Sequence, residues 1–498
     1  MASASRPERL TLAPGFSISR LVTGLWQIAD MERDGRALDL DQAAAELEGY
    51  ADAGFDSFDM ADHYGSAELV AGRCLLRLAA RKRPAATVFT KWVPEPGPMT
   101  AEVVRAGLDE RLRRLGTQSV DLLQLHWWQF ENPAYIDAMA ELDALRQQGL
   151  IRHLGVTNFD TDHLRVLVAQ KLPVLTNQVC FSLLDRRAAG EMSDFCLAHG
   201  IRVLAFGTLA GGFLSERWLG KPEPAEISDW SKMKYKRFID AAGGWAVFQN
   251  LLAVLQTIAT RHGVSIANVA TRWVLDHPAV AACVVGARLG ENEHRNANLA
   301  TFGFALDAED RARLADALLG LTAIPGDCGD EYRKPPFLTA SGDLSHHLAN
   351  LPPVFGAAPV PGRPNRTRVD SGSQWEPVAG YSRAMRIGDR ILVSGTTATH
   401  GAGRIIGRGD PAAQTVYILD KISASLMALG GRLGDVVRTR IYLRDAASWE
   451  PVSRVHGRYF AGVRPANTLI AAGGLVGGYE VEIEAEAIIE PASGTAIP

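Results

Sequence analysis

The sequence has few cysteines, and they are not arranged as functional cysteines usually are. Its five cysteines are an odd number, spread over 498 residues, and include no Cys-x-x-Cys pair. This scarcity argues against a disulfide-stapled secreted fold and against a structural zinc site. We therefore expect no metal site and a cytoplasmic location.

The sequence also lacks long apolar runs and a strong charge of either sign. No run approaches the roughly 20 residues of a membrane-spanning helix, and residues 1–20 lack the apolar core of a signal peptide. The 52 basic and 56 acidic residues are dispersed, which leaves a net charge of −4. These features predict a soluble protein with neither a membrane nor a nucleic-acid partner.

One nucleotide-binding motif is missing as well. Residues 1–320 contain no Gly-x-Gly-x-x-Gly between a strand and a helix, which argues against a Rossmann-type site. The glycines at 401, 403 and 407 fall in a predicted hairpin loop, and we interpret them as turn residues.

The first 320 residues alternate short apolar strands with amphipathic helices. Such an alternation predicts parallel β/α units, and eight of them in about 300 residues predict a closed (β/α)8 TIM barrel. We place this α/β domain at residues 1–321.

Four chemically useful side chains follow successive predicted strands. Asp59 ends one strand, and Tyr64 follows it in a tight turn. Lys91 and His126 end the next two strands. A single strand-end aspartate is more often a turn or cap residue, so only the combination indicates a site. Because the carboxyl ends of barrel strands meet at one rim, we expect the four side chains to lie together.

This pattern resembles the catalytic tetrad of the aldo-keto reductases, and the resemblance covers roughly residues 15–320. It implies hydride transfer between a nicotinamide and a carbonyl or alcohol. Tyr64 would deliver the proton, and His126 would orient the carbonyl oxygen. Lys91 would make the phenol more acidic, because a nearby ammonium favours the phenolate, and Asp59 would anchor the lysine.

The resemblance also implies a cofactor across the barrel mouth, NADP by preference with NAD as an option. The implied contacts are Thr23, Gly24, Thr157, Asn158, Gln178, Phe206, Gly207, Thr208, Leu209, Gly211, Gly212, Gly286, Arg288, His294 and Asn298. Phe206 takes the ring-stacking position, and Arg288 suits a 2′-phosphate. Leu289 and His294 stand where Ser or Thr and Arg are common, which weakens the preference for NADP.

Five aromatic residues near strand ends are candidates for the substrate pocket: Trp26, His63, Trp92, Trp127 and Trp128. Aromatic walls suit an aldehyde, a ketone or a sugar ring. For each residue, simple packing under a loop is an equal alternative. The segment 328–333 is interpreted either as a lid over the mouth or as linker.

Residues 322–365 are predicted to be a linker, because the stretch 352–364 is rich in proline. Beyond it, at 366–498, strands and helices follow in an order that predicts a smaller α+β domain with a mostly antiparallel sheet.

This second domain resembles the Rid (YjgF) family of reactive-intermediate deaminases in the segments 380–384, 391–395, 435–439, 464–468 and 481–485. The resemblance implies a chorismate-mutase-like fold, a trimer, and a pocket that includes Tyr381, Asn467 and Glu482. Active members carry an arginine where this chain has Asn467. An amide cannot clamp a substrate carboxylate as a guanidinium does, so imine deamination is in doubt.

The leading hypothesis is an NAD(P)H-dependent aldo-keto reductase carried on a Rid-like trimer. One alternative is a bifunctional enzyme whose Rid-like domain processes an imine or enamine. Another is a nicotinamide-sensing binding module.

Overall fold

The computed structural model describes residues 6–29, 38–95, 97–289, 294–334 and 351–490. The chain divides into two compact units. The first comprises Met1–Trp128, Ala138–Thr161 and Pro173–Ala349, and the second comprises Gln129–Asp137, Asp162–Leu172 and Asn350–Pro498. The first unit thus takes in residues 322–334, which the sequence had assigned to a linker.

The first unit is built on a closed barrel of eight parallel strands, as predicted. An antiparallel hairpin precedes it, formed by β1 (Arg9–Ala13) and β2 (Phe16–Ser19). The barrel strands are β3 (Leu21–Gly24), β4 (Ser57–Asp59), β5 (Thr87–Trp92), β6 (Val120–His126), β7 (Ile151–Thr157), β8 (Thr176–Cys180), β9 (Arg202–Phe206) and β10 (Val280–Gly286). They are adjacent in chain order, and β10 closes onto β3.

Helices connect and follow these strands. They are α1 (Leu40–Asp52), α2 (Ala67–Ala80), α3 (Ala101–Leu115), α4 (Ala134–Gln147), α5 (Thr161–Ala169), α6 (Glu191–Ala198), α7 (Trp230–Ala241), α8 (Trp245–His262), α9 (Ile266–Leu275), α10 (Arg295–Leu299), α11 (Ala308–Leu319) and α12 (Asp330–Arg333). Of the helices that the structure describes, none alone has the length and hydropathy to cross a membrane. Only α7 and α8, bent by 98° between them, meet that criterion as a pair.

The helix α3 shows how local sequence sets these boundaries. The Thr100 side chain accepts a hydrogen bond from the Val103 backbone N–H, which confirms the predicted cap. The helix ends at Gly116, whose φ of 64° lies in the left-handed region that glycine adopts without strain.

Alternation along the strands separates the barrel core from its rim. Phe89 precedes Lys91 by two residues and therefore points to the same side of β5. It packs in a buried cluster with Phe16, Leu122 and Leu204. Apolar side chains thus fill the barrel below the strand ends, and polar side chains occupy the carboxyl ends.

The second unit contains a seven-stranded sheet in the order β11-β12-β13-β14-β19-β17-β18. Its strands are β11 (Ala357–Val360), β12 (Arg363–Val369), β13 (Ala384–Ile387), β14 (Arg390–Thr396), β17 (Val436–Leu443), β18 (Ala466–Ala471) and β19 (Val481–Ile488), with a small separate hairpin of β15 (Thr399–His400) and β16 (Arg404–Ile405). Its helices are α13 (Trp375–Ala379), α14 (Pro411–Ala428) and α15 (Trp449–Phe460). The β17–β18 pair is parallel and the other pairs are antiparallel, as predicted for a mostly antiparallel α+β domain.

The Pro-rich stretch corrects one expectation. Residues 357–365 were assigned to the linker, but β11 and β12 pair as an antiparallel hairpin that joins the sheet. Pro359 is tolerated because β11 is the edge strand, where a missing N–H need not break the ladder. Residues 335–350 of the expected linker lie outside the described residues.

Candidate active site

A buried ion pair lies where β4 and β5 end. Lys91 Nζ donates to Asp59 Oδ2 at 2.6 Å and to the Met60 carbonyl oxygen at 3.1 Å, and both charged side chains are 4% exposed. The other carboxylate oxygen, Asp59 Oδ1, accepts from the amide nitrogens of Gln178 at 2.7 Å and Gln124 at 3.3 Å. Buried charges need such partners, and here each oxygen of the carboxylate has one.

Tyr64 lies over this pair, with Lys91 Nζ 5.1 Å from its ring centroid. Burial raises the pKa of the Tyr64 phenol well above its usual value, and the charge of Asp59 raises it further. Burial also lowers the pKa of Lys91, while Asp59 raises it. The acidifying effect that the resemblance assigned to Lys91 does not prevail over burial, and the cation that lowers the pKa of Tyr64 is Lys234. Tyr64 stands as a protonated donor at neutral pH.

His126 ends β6 and completes the group. Its pKa is held well below the usual range, first by burial and then by the charge of Arg333, so the imidazole is neutral at neutral pH. Its Nε2 atom is buried, and none of the described residues hydrogen-bonds it. A buried polar atom of this kind is normally satisfied, so a substrate oxygen is a fitting partner.

The end of β7 presents the predicted contacts for a nicotinamide carboxamide. Thr157 Oγ1 and the Asn158 backbone N–H both donate to the Gln178 carbonyl oxygen, each at 2.9 Å. Asn158 has a φ of 58°, and its buried Oδ1 has no hydrogen-bond donor among the described residues. Asn158 thus retains an amide oxygen for a ligand, whereas the Gln178 amide nitrogen already serves Asp59.

The glycines after β9 are required by packing inside the protein. A side chain at Gly207 would overlap the Tyr235 ring of α7, and one at Gly211 would come within 2.8 Å of the same ring. Gly212 has a φ of 90°. Thr208 and Leu209 lie in the same turn, which follows Phe206 at the end of β9. Packing against Tyr235 explains Gly207 and Gly211 by itself, so the contact of this turn with a pyrophosphate stays a prediction.

The first and last barrel strands bring three other predicted residues to the rim beside Asp59. Gly286 pairs with Gly24, and Gly24 pairs with Asp59, while Thr23 is buried next to them. A side chain at Gly286 would overlap the Gln27 side chain, which covers the rim at this point, so the cofactor contacts of these residues stay predictions.

The stretch after β10 holds the predicted 2′-phosphate contacts. Arg288 donates to Asp229 Oδ2 at 2.8 Å, and Asp229 caps α7. Leu289 is buried, and its side chain has no hydrogen-bond donor for a phosphate, as expected from the residue type. His294 and Asn298 lie at and within α10. The guanidinium carbon of Arg295, next to His294, lies 5.7 Å from the Tyr50 ring centroid.

Three of the predicted aromatic residues surround the tetrad. The rings of Trp26 and His63 meet the Tyr64 ring edge to face, at centroid distances of 4.9 and 4.8 Å. The Trp128 ring lies 4.4 Å from that of His126. Trp127 is buried, and its carbonyl oxygen accepts from Arg333 at 2.6 Å. These residues follow strands β3, β4 and β6 at the mouth of the barrel.

Trp92 corrects the pocket prediction. A side chain on Gly107 of α3 would meet the Trp92 indole at 2.6 Å, so that indole packs against the helix layer. The reason is strand alternation: Lys91 points into the barrel, and its neighbour in β5 must point out. Trp92 is a packing residue.

The segment 328–333 lies on the barrel mouth, where the lid interpretation placed it, and is therefore not linker. The Tyr332 ring is 5.6 Å from that of His126, and its hydroxyl accepts a hydrogen bond from Lys234 of α7 at 2.5 Å. Lys234 was not predicted from the sequence, since a single lysine in the long connection between β9 and β10 carries no periodic signal.

Comparison with known proteins identifies the domains. Residues 20–318, more than half of the chain, match the model described as Aldo/keto reductase family. The chain belongs to the aldo/keto reductase family. It is an oxidoreductase of the kind that acts on carbonyl compounds or sugars, and a nicotinamide cofactor is typical of the family. Residues 372–489 match the model described as Endoribonuclease L-PSP, so the reductase is fused to a Rid-type domain.

Individual relatives match different shares of the chain. L-glyceraldehyde 3-phosphate reductase of Escherichia coli O157:H7 is 28% identical over 338 residues, 63% of this chain and 94% of that protein. Flagellar radial spoke protein 5 of Chlamydomonas reinhardtii is 34% identical over 182 residues, 32% of this chain, and this chain spans about a third (34%) of its length. The solved structure of the glycerol dehydrogenase from Gluconobacter oxydans shares the fold, with a TM-score of 0.50 and 24% identity over 66% of this chain and 98% of that one.

In the Rid-type domain, two of the three predicted pocket residues lie near one buried arginine. Arg383 donates to the Tyr381 hydroxyl at 3.1 Å and to the Gly395 carbonyl oxygen at 2.6 Å. A side chain at Gly395 would overlap the Glu482 carboxylate. The pKa of Glu482 is raised, first by burial and then by the charge of Glu484, while the charge of Arg383 partly offsets these effects. Tyr381 and Glu482 therefore share one neighbourhood.

Asn467 lies apart from that neighbourhood. It pairs with Thr439 and donates to the Thr439 hydroxyl at 2.9 Å, whereas Glu482 pairs with Tyr442. Thr439 and Tyr442 are three residues apart on β17 and point to opposite faces. Within one chain, Asn467 and Glu482 therefore do not face a common pocket. The predicted pocket, which the resemblance places between subunits, stays a prediction.

One group of buried side chains in the reductase has the spacing of metal ligands. The ligand atoms of Cys180, Asp185 and Glu331 lie within 4.8 Å of one another. Arg187 donates to Asp185 Oδ2 at 2.7 Å and to Glu331 Oε2 at 2.8 Å, which supplies a counter-charge to both carboxylates. Burial raises the pKa of the Cys180 thiol, so it is not a thiolate. The positive charge of Arg187 therefore explains why the two carboxylates are buried together.

Proposed function

We propose that the barrel reduces a small polar aldehyde or ketone with NADP as the preferred cofactor, in the cytoplasm. The observation that carries the proposal is the buried Asp59–Lys91 pair at 2.6 Å, with the Tyr64 ring over it. A protein rarely buries an ammonium and a carboxylate at an open strand end for stability, because desolvation consumes most of their attraction. Next to a phenol and a neutral imidazole, the pair is suited to proton transfer.

The proton that the carbonyl oxygen receives comes from the chain's own residues. The bound nicotinamide cofactor supplies the hydride. Neutral His126 offers its buried Nε2 to the carbonyl oxygen and positions it. Tyr64 then gives its hydroxyl proton to that oxygen as negative charge develops there. The Lys91 ammonium stabilises the phenolate that remains, and Asp59 keeps the ammonium in place. In alcohol oxidation the same groups act in reverse.

Asn158, Phe206 and Arg288 would hold the cofactor. Asn158 Oδ1, which receives no hydrogen bond within the described parts of the chain, suits a carboxamide N–H, and the Phe206 ring suits the nicotinamide face. Arg288 would exchange its bond to Asp229 for a 2′-phosphate, whose two charges attract a guanidinium more strongly than one carboxylate does. The relative named L-glyceraldehyde 3-phosphate reductase supports a small aldehyde as substrate. All five cysteines are free thiols, which agrees with a reducing compartment.

Replacement of Tyr64 by phenylalanine tests this function. We expect kcat/KM for carbonyl reduction to fall by about 10²- to 10⁴-fold, the usual contribution of a positioned general acid. Titration with NADPH and NADH, followed by tryptophan fluorescence, should give nearly the same Kd as the unchanged enzyme. Tyr442→Phe, which removes a hydroxyl from the other domain, is the matched control. Full turnover by Tyr64→Phe would refute the assignment.

We further infer that the Rid-type domain assembles the enzyme into a trimer or a multiple of one. One face of its sheet exposes the apolar side chains of Ile387, Leu392, Ile470 and Ile488, which are 38–48% exposed. Their strand pairings place them on the face opposite the buried helix α14. The same face also carries the Arg440–Glu484 and Arg440–Glu486 ion pairs, and exposed apolar side chains among charged ones are typical of an assembly surface.

Light scattering checks this inference. The unchanged protein should have the mass of a trimer or a multiple of one, and Leu392→Asp should lower it. Leu76→Asp, at a 65% exposed site on α2, should leave the mass unchanged. A monomeric unchanged protein would contradict the inference.

A further inference from the structure

Lys234 is a buried ammonium at the mouth of the barrel that the tetrad does not include. It extends from α7, and its side chain is buried. Its Nζ lies 5.6 Å from the centroid of the Phe206 ring and 4.1 Å from that of Tyr332, and it donates to the Tyr332 hydroxyl at 2.5 Å. The ammonium is therefore between the ring expected to stack on the nicotinamide and a phenol from another part of the chain.

Tyr332 is held rigidly at this place by charged anchors on both sides. The residue before it, Glu331, is fully buried and accepts from Arg187 at 2.8 Å. The residue after it, Arg333, donates to the carbonyl oxygens of Asn158 at 2.5 Å and Trp127 at 2.6 Å. Charge-assisted bonds of this kind are strong when buried. The segment is thus a fixed wall of the mouth.

The Lys234–Tyr332 pair also lies close to the reacting groups. The Tyr332 ring meets the rings of His126 and Trp128 at centroid distances of 5.6 and 6.3 Å. The charge of Lys234 lowers the pKa of Tyr64 and that of His126, in both cases as a smaller effect than burial. A substrate whose carbonyl oxygen is held by Tyr64 and His126 would therefore place its next carbon atoms beside the pair.

We propose that Lys234 and Tyr332 form a second oxygen-binding pair, which recognises a hydroxyl group on the carbon adjacent to the reacting carbonyl. The inference rests on the proposed reductase function and specifies its substrates as 2-hydroxy aldehydes and ketones. An ammonium donates hydrogen bonds, and a phenol both donates and accepts them, so the two together suit a hydroxyl. A site that hydrogen-bonds a substrate hydroxyl discriminates strongly against an analogue that lacks it, because buried polar groups are then left unpaired.

Glyceraldehyde and propanal form the test, since they share a three-carbon chain and only the first carries hydroxyls. We expect the ratio of their kcat/KM values to favour glyceraldehyde in the unchanged enzyme. In Tyr332→Phe the ratio should fall about tenfold or more, because glyceraldehyde loses more than propanal does. This variant keeps the ring that contacts His126 and Trp128. Lys234→Met should lower the ratio in the same direction, and Tyr442→Phe should leave it unchanged.

Binding supplies a second readout that does not depend on turnover. With oxidised cofactor present, tryptophan fluorescence should show that glycerol binds more tightly than 1-propanol. The difference between the two Kd values should be smaller in Tyr332→Phe.

The outcomes separate this inference from the proposed function. If the unchanged enzyme reduces both aldehydes but the ratio is the same in Tyr332→Phe, the second pair is refuted and the reductase stands. If Tyr332→Phe lowers kcat/KM equally for both aldehydes, the ratio does not change, and this outcome also refutes the pair. If the unchanged enzyme neither reduces an aldehyde nor binds a nicotinamide cofactor, the proposed function fails and this inference fails with it.

Discussion

Lys91 in the reductase barrel and Lys421 in the Rid-type domain are both buried, but they have different partners. Lys91 faces the Asp59 carboxylate at 2.6 Å. Lys421, on α14, donates to the Thr399 carbonyl oxygen at 3.0 Å. Burial lowers the pKa of each, and for Lys421 the nearby charge of Arg383 adds to the effect and brings the pKa to about 7.

This difference distinguishes an ammonium that is kept charged from one that is allowed to become neutral. A carboxylate at contact distance compensates for much of the desolvation of Lys91 and preserves its positive charge for Tyr64. A carbonyl dipole compensates for less, so Lys421 loses its proton near neutral pH. Burial of a lysine alone therefore does not indicate catalysis; the fixed counter-charge and the neighbouring phenol do.

Replacing each lysine by methionine should produce the largest contrast in catalysis. Lys91→Met removes the cation that stabilises the Tyr64 phenolate, so kcat for carbonyl reduction should fall by about 10²- to 10⁴-fold. Lys421→Met, in the other domain, should stay within about twofold of the unchanged enzyme in a steady-state assay. Equal losses of kcat in the two variants would contradict the different roles of the two lysines.

The two lysine variants should also differ in their free energy of unfolding. Lys91→Met leaves the buried Asp59 carboxylate without its cation, which costs about 3–5 kcal/mol in the free energy of unfolding. The double variant Asp59→Asn/Lys91→Met removes both charges and should recover part of that loss in urea unfolding of the barrel. Lys421→Met places an apolar chain of similar length in a buried site and should be neutral or stabilising. A double variant no more stable than Lys91→Met would contradict this account.

Titration of Lys421 should change the stability of the Rid-type domain alone. Its pKa of about 7 in the folded chain lies below the value of ~10.4 of an unfolded lysine, so the unfolded state binds more protons between those values. The stability of the Rid-type domain should therefore rise as the pH increases from about 7 to about 10, and then level off. A lysine Cε signal in ¹³C NMR should titrate near pH 7 and vanish in Lys421→Met. A midpoint above pH 9 would contradict the prediction.

Strand positions are the part of the site that sequence reasoning could reach. Asp59, Lys91 and His126 were located because parallel strands bring their carboxyl ends to one rim, whatever the loops do. The same rule would have excluded Trp92 from the pocket, because it adjoins Lys91 and alternation turns it outward. The Pro-rich hairpin of β11 and β12 was missed because proline composition does not distinguish a linker from an edge strand.

The sequence by itself determined the repeating β/α pattern, the four tetrad positions and the second domain's order of elements, since these depend on local periodicity and on residue types at strand ends. Only the tertiary structure decided that Lys234 meets Tyr332, 98 residues away in the chain, and that Gln124 and Gln178 both bind Asp59. Such contacts depend on the paths of long connections and on which side chains share one buried space. No local pattern encodes either, because many loop paths are compatible with the same strands and helices.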